Sequence, residues 1–244
     1  MTAQGGMLHP AQRQDEDRSV ARWGGLAGIS GSVLLVVVFA IVVVFAGPDP
    51  AGPEGPIERF PEISAVRTVE NGLYLAVLAL WVPLAIAVSR SLRMTRPAAA
   101  LFGGALNIVG LAVLAAGAIP HVVTSRLADL YHAAGATPEE RATLVLLWQA
   151  NQGMFDALLL VGLLVMPLGV TLFGLAMRRD PAFGKAAGNL SVALGVVGLA
   201  AATVMLVDPL STAAPALGLF ALIGFHLLAG WKTYRLSSPP APVG

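Results

Sequence analysis

Six apolar runs of membrane-crossing length, separated by short polar stretches, decide most of what this chain can fold into. They cover about residues 24–46, 71–89, 98–119, 153–177, 186–207 and 213–231, and Asp156 is the one acidic or basic side chain inside them. A helix rises about 1.5 Å per residue, so roughly 20 apolar residues cross the hydrocarbon layer with every backbone amide paired internally. A membrane β-barrel would show short segments of alternating polarity, and Val33-Leu34-Leu35-Val36-Val37-Val38 does not alternate. The sequence therefore predicts an all-α, polytopic transmembrane bundle of six spans. A composition of 56% hydrophobic and 12% charged residues agrees.

Residues 24–232 form the predicted transmembrane domain, between a disordered cytoplasmic tail over 1–23 and a short cytoplasmic tail over 233–244. The first tail contains Gln12-Arg13-Gln14-Asp15-Glu16-Asp17-Arg18, too polar to fold by burying apolar area. Val44-Phe45-Ala46 before Gly47 resembles a signal-peptide cleavage site, but the 23 residues of Gly24–Ala46 exceed a typical signal-peptide core, which favours a retained span. Gly47–Val69, with five prolines, reads as an irregular outer loop, and His121–Gly135 as a second. Thr137-Pro138-Glu139-Glu140 has capping-box spacing and predicts a helix starting at Pro138. Unbroken to Met177, that helix would be about 60 Å long, twice the hydrocarbon thickness, so it must project or bend, with Pro167 the expected bend. Pro83 predicts a kink near Ala79.

Positive charge sets the expected orientation. Arg13, Arg18, Arg22, the turn bearing Arg90, Arg93 and Arg96, the turn bearing Arg178, Arg179 and Lys185, and the final Lys232 and Arg235 all fall on one side. The other side has Arg59, Arg67, Arg126 and Arg141, which completes the 15 basic residues. The positive-inside rule then puts both termini in the cytoplasm of a multi-pass cell-membrane protein. Packing is expected along two small-residue stripes. One comprises Gly103, Asn107, Gly110, Leu114 and Gly117; the other, Gly184, Gly188, Ser191, Gly195, Gly198 and Ala202, should make its helix the most tightly packed.

Chemistry is sparse. Gln149, Gln152 and Asp156 share one helix face, expected to turn inward because polar groups are costly in lipid. With Glu70, Asn71, His121 and Asp208 they would form an outer vestibule suited to a cation, a proton relay or a polar head group. Blander readings compete: outer positions are wet, Arg67 lies one turn before Glu70, and Asp208-Pro209 is an ordinary helix end. His121, Asp129, His132 and Asp156 lack any recognised zinc-ligand spacing, so no metal site is predicted. His226, Asn107 and Asn189 read as interhelical hydrogen-bonding groups, and Trp81 as core filling. There is no cysteine, phosphate loop or nucleophile elbow, so no catalytic residue and no cofactor is predicted.

Three function classes stay open: a membrane binding, interaction or accessory protein; a small transporter or channel; and an intramembrane enzyme using outer carboxylates. Expected partners are membrane lipids, a second copy of the chain or another membrane protein. A net charge of +1 gives no reason to expect nucleic acid.

Leu172-Phe173-Gly174-Leu175-Ala176-Met177, Phe183-Gly184 and Leu194-Gly195-Val196-Val197-Gly198-Leu199 resemble the C-terminal half of an uncharacterised family of six-span bacterial membrane proteins, a domain of unknown function. Ala21-Arg22-Trp23-Gly24-Gly25-Leu26-Ala27-Gly28 fits its first half more loosely. The resemblance implies six spans and no known activity.

Overall fold

The computed structural model describes residues 10–47, 50–208, 211 and 213–238. Its helices are α1 (Pro10–Ile41), continued by a π-helical turn (Val42–Ala46), α2 (Gly55–Leu92), α3 (Pro97–Ala116), α4 (Ala118–Tyr131), α5 (Pro138–Met177), α6 (Gly184–Val207) and α7 (Ala213–Leu236). No strand occurs among the described residues. Counting α3 and α4 as one stretch, six helical stretches are long and apolar enough to cross a membrane. The chain is a multi-pass helical membrane protein.

Successive spans pack side by side in the order α1, α2, α3, α5, α6, α7, and α7 returns against α1 to close a ring. Inside the ring α2, α5 and α7 meet one another. Trp81, Leu84, Leu163, Met166, Phe173, Leu222 and Phe225 fill that centre and are all buried. One end of the ring, the basic end, carries the Arg90–Arg96 and Arg178–Lys185 turns.

Small residues set how closely the helices approach. On α3, Gly103, Gly110 and Asn107 are buried against α5: a Cβ on Gly110 would fall 2.3 Å from Met166, and one on Gly169 would fall 2.4 Å from Asn107. Asn107 donates to Gly103 O of its own helix at 2.9 Å, not across an interface as expected. On α6, Gly188, Ser191, Gly195, Gly198 and Ala202 are buried, and a Cβ on Gly195 would sit 2.3 Å from Thr171 Oγ1 of α5. Gly184 has no such neighbour; its φ of 82° instead opens the helix. Nor is α6 the most buried helix: 28% of its most apolar window is inside, against 50% for α7. A third stripe went unread in the sequence. Gly24, Gly28 and Gly31 of α1 pack on Ala87, Leu84 and Trp81 of α2, while Gly25 meets Gly230 and Tyr234 of α7 and seals the ring.

Three stretches expected to be irregular are helical. Residues 10–23 belong to α1 rather than to a disordered tail, and Arg90 on α2 holds their Glu16 and Asp17 at 3.5 and 3.1 Å. Residues 55–69 extend α2, and 118–131 form α4. Pro56 occupies the first turn of α2, where its missing N–H has no helical acceptor to serve. These extensions pay for themselves with a second apolar core of Ile57, Phe60, Leu127, Ala128, Tyr131, Val145 and Trp148. The result is a helical cap over one end of the ring, built from the start of α2, α4 and the start of α5.

The α5 start matches its capping box: Thr137 Oγ1 accepts from Glu140 N, and the Glu140 carboxylate accepts from Thr137 N at 2.8 Å. The helix then runs 40 residues unbroken through Pro167, projecting into the cap. Within α2 and α5, Gly72 and Gly153 are helical glycines with no heavy atom within 4 Å of an added Cβ.

Candidate functional site

Where the cap meets the ring, α2, α4 and α5 enclose a cavity of about 370 Å³. Arg67 and Glu70 come to it from α2, His121 and Thr124 from α4, and Trp148, Gln149, Gln152 and Phe155 from α5, with Phe60 and Ile63 as apolar wall. Arg67 Nη1 and Glu70 Oε2 pair at 2.9 Å with each side chain about a quarter exposed, so the acid–base couple lining the cavity is internally neutralised. Phe155 meets the His121 ring edge-on at 4.8 Å, and Phe60 meets Trp148 edge-on at 5.4 Å. The site is thus a neutral, hydrogen-bonding recess with aromatic walls.

Two smaller cavities adjoin it. One of about 140 Å³ lies between Leu35, Val38, Phe39, Tyr74, Leu159 and Leu219, and shares Glu70, His121 and Phe155 with the first. The other, of about 230 Å³, shares Phe60, Arg67 and His121 and adds Thr68 and Ser125. Asn71 lines both, and its Oδ1 is buried with no hydrogen-bond partner. A buried acceptor left unpaired costs about 1–3 kcal/mol, so a donor supplied by a ligand would be stabilised there.

Of the residues singled out in the sequence, Glu70, Asn71, His121, Gln149 and Gln152 do come together. Asp156 and Asp208 do not line these cavities. Asp156 is exposed and bonded to Gln152, and Asp208 caps the end of α6. The Gln149–Gln152–Asp156 face is exposed rather than turned inward, because Val145 and Trp148 claim the buried side of α5 at this level. Asn151 ties α5 to α4 by donating to Pro120 O at 2.8 Å and Thr124 Oγ1 at 3.1 Å. Among the described residues no group of three His, Asp or Glu is placed to hold a metal ion.

Phe60 and Thr124 were missed because a pairing of α2 with α4 is invisible when both stretches read as loops. The apolar spacing of Ile57, Phe60 and Ile63 was the available signal.

His226 stands well inside α7, which continues past Trp231 to Leu236. Its ring stacks on Trp81 at 3.8 Å and 10°, and its Nδ1 is 2.7 Å from Leu222 O of its own helix. Asn189, expected between helices, is exposed and borders a cavity at the basic end.

No family model, curated protein or solved structure matches this chain.

Proposed function

We propose that the protein is a membrane binding protein that receives an amphipathic small molecule at the cap end, with the polar head in the larger cavity and the apolar part in the smaller one. The observation that carries this reading is the sharing of Glu70, His121 and Phe155 by a polar recess and an apolar one. Such a pair offers hydrogen bonds to one end of a ligand and apolar burial to the other, the usual division of labour in a small-molecule site. The neutral Arg67–Glu70 couple favours an uncharged or zwitterionic head, and the unpaired Asn71 Oδ1, which lines the smaller cavity, favours a donor group where head and apolar part join. A binding role is preferred over transport because Trp81, Leu163, Met166 and Phe173, all fully buried, occupy the centre that a polar path would have to cross. The charge count supports a cap on the outside and both termini in the cytoplasm of a cell-membrane protein.

Mass spectrometry of small molecules that co-purify with the protein tests the reading. Leu159→Trp fills the apolar recess and should strip a species that the wild type carries. Asp156→Asn, outside the cavities, should retain it. A species retained equally by Leu159→Trp, or the absence of any species from the wild type, would sink the proposal.

A further inference from the structure

At the opposite end of the molecule, α3, α5 and α6 frame a second recess of about 530 Å³ lined by Arg96, Arg178, Arg179, Lys185 and Asn189, with Ala99 and Leu175 on its remaining wall. We propose that this recess binds the phosphate of an anionic phospholipid. Four cationic side chains and one carboxamide converge there, and no carboxylate lines the cavity. Among the described residues none of the four forms an ion pair, whereas Arg18, Arg67 and Arg90 all do.

The cluster is held in place rather than merely crowded. Asp180, 7% exposed, accepts from Thr95 Oγ1 at 2.6 Å and from Ala182 N at 2.9 Å, which clamps the turn bearing Arg96 to the turn bearing Arg178, Arg179 and Lys185. Its carboxylate is thereby committed to the clamp. Gly188 lets α6 slide under Arg178: a Cβ there would fall 2.4 Å from the Arg178 nitrogen and 2.6 Å from its Cγ.

The lipid, as source of the phosphate, follows from position. The recess lies at the ends of three spanning helices, and Leu175, 44% exposed, and Ala99 continue its wall into their apolar surface. A head-group phosphate at the cations with an acyl chain along Leu175 matches that polarity gradient. Basic recesses between spanning helices bind anionic head groups by this combination of charge and apolar contact.

The test is the melting temperature of the detergent-purified protein on addition of phosphatidylglycerol, phosphatidylcholine or inorganic phosphate. Three proteins are compared: the wild type, Arg179→Gln with Lys185→Gln, and the charge-matched pair Arg22→Gln with Arg93→Gln, which lies at the same end but outside the recess. Phosphatidylglycerol alone should raise the wild-type midpoint. At roughly fivefold per surface charge, its apparent affinity should fall about 25-fold in the recess pair and change little in the control pair. Equal stabilisation by phosphatidylcholine, or equal losses in the two pairs, would overturn the site. The same shift from inorganic phosphate would assign it to a soluble anion instead. Should the recess pair fold poorly, native mass spectrometry of Lys185→Gln decides, and undiminished retention of phosphatidylglycerol there refutes the proposal.

Discussion

His132 presents Nε2 to the carbonyl oxygen of Ile57 at 3.2 Å, and Ile57 is the residue whose helical acceptor Pro61, four positions on, leaves unpaired. Proline lacks the N–H that would close that turn, so a side chain from beyond α4 closes it instead. The contact also assigns the ring proton to Nε2, since a carbonyl only accepts.

A double-mutant cycle checks this pairing. His132→Ala should cost about 1–2 kcal/mol of stability in the parent, because it strands a buried carbonyl. In a Pro61→Ala background, where residue 61 supplies its own N–H, the same change should cost much less. Additive effects in denaturant or thermal unfolding would show that the two residues do not share the Ile57 acceptor.

The glycine contacts give a signed comparison. Gly195→Ala should lower folded yield, since its Cβ would meet Thr171 Oγ1 at 2.3 Å and Pro167 O at 2.9 Å. Gly72→Ala, in open surroundings, should raise stability by up to about 1 kcal/mol through helix propensity. Gly47 is no neutral control, because its φ of 62° strains any substituted side chain. Matching thermal midpoints for Gly195→Ala and Gly72→Ala would contradict the packing described for α5 and α6.

Orientation is open to a labelling experiment, made clean by the lack of cysteine. Met94, 86% exposed in the basic turn, should as Met94→Cys resist a membrane-impermeant thiol reagent in intact cells. Ala134→Cys, exposed after α4, should react. The reverse pattern would invert the topology drawn from the arginines.

His226 distinguishes packing from proton chemistry. Stacked on Trp81 in a filled core, it should tolerate His226→Phe with a loss below about 1.5 kcal/mol, while His226→Ala leaves a cavity worth roughly 3–5 kcal/mol. If ligand retention at the cap end survives His226→Phe, the ring is structural. Its loss with stability intact would give the imidazole a functional part.

The spans, the capping box at Thr137 and the stripe on α3 were legible because each rests on local chemistry: run length, an N-terminal hydrogen-bond pair, and a spacing on one helix face. The cap was not. Its core joins Phe60 to Trp148 across most of the chain between them, and prolines that normally break helices sit here in the first turns of α2. The site was legible by halves for the same reason. Glu70, His121 and Gln152 flank the ends of apolar runs, a position that run length gives, but Asp156 was misplaced, since which way a helix face turns depends on the neighbour it finds.

Both helices that carry the cap, α2 and α5, run without interruption from the cap core into the ring, so the cap has no flexible stalk. What they do have is Gly72 and Gly153, one in each rod beside cavity residues Glu70 and Gln152, and neither is needed to make room for a neighbour. A helical glycine surrenders about 1 kcal/mol of local preference relative to alanine. A bend at either glycine would therefore tilt the roof of the recess and change the height of the chamber beneath.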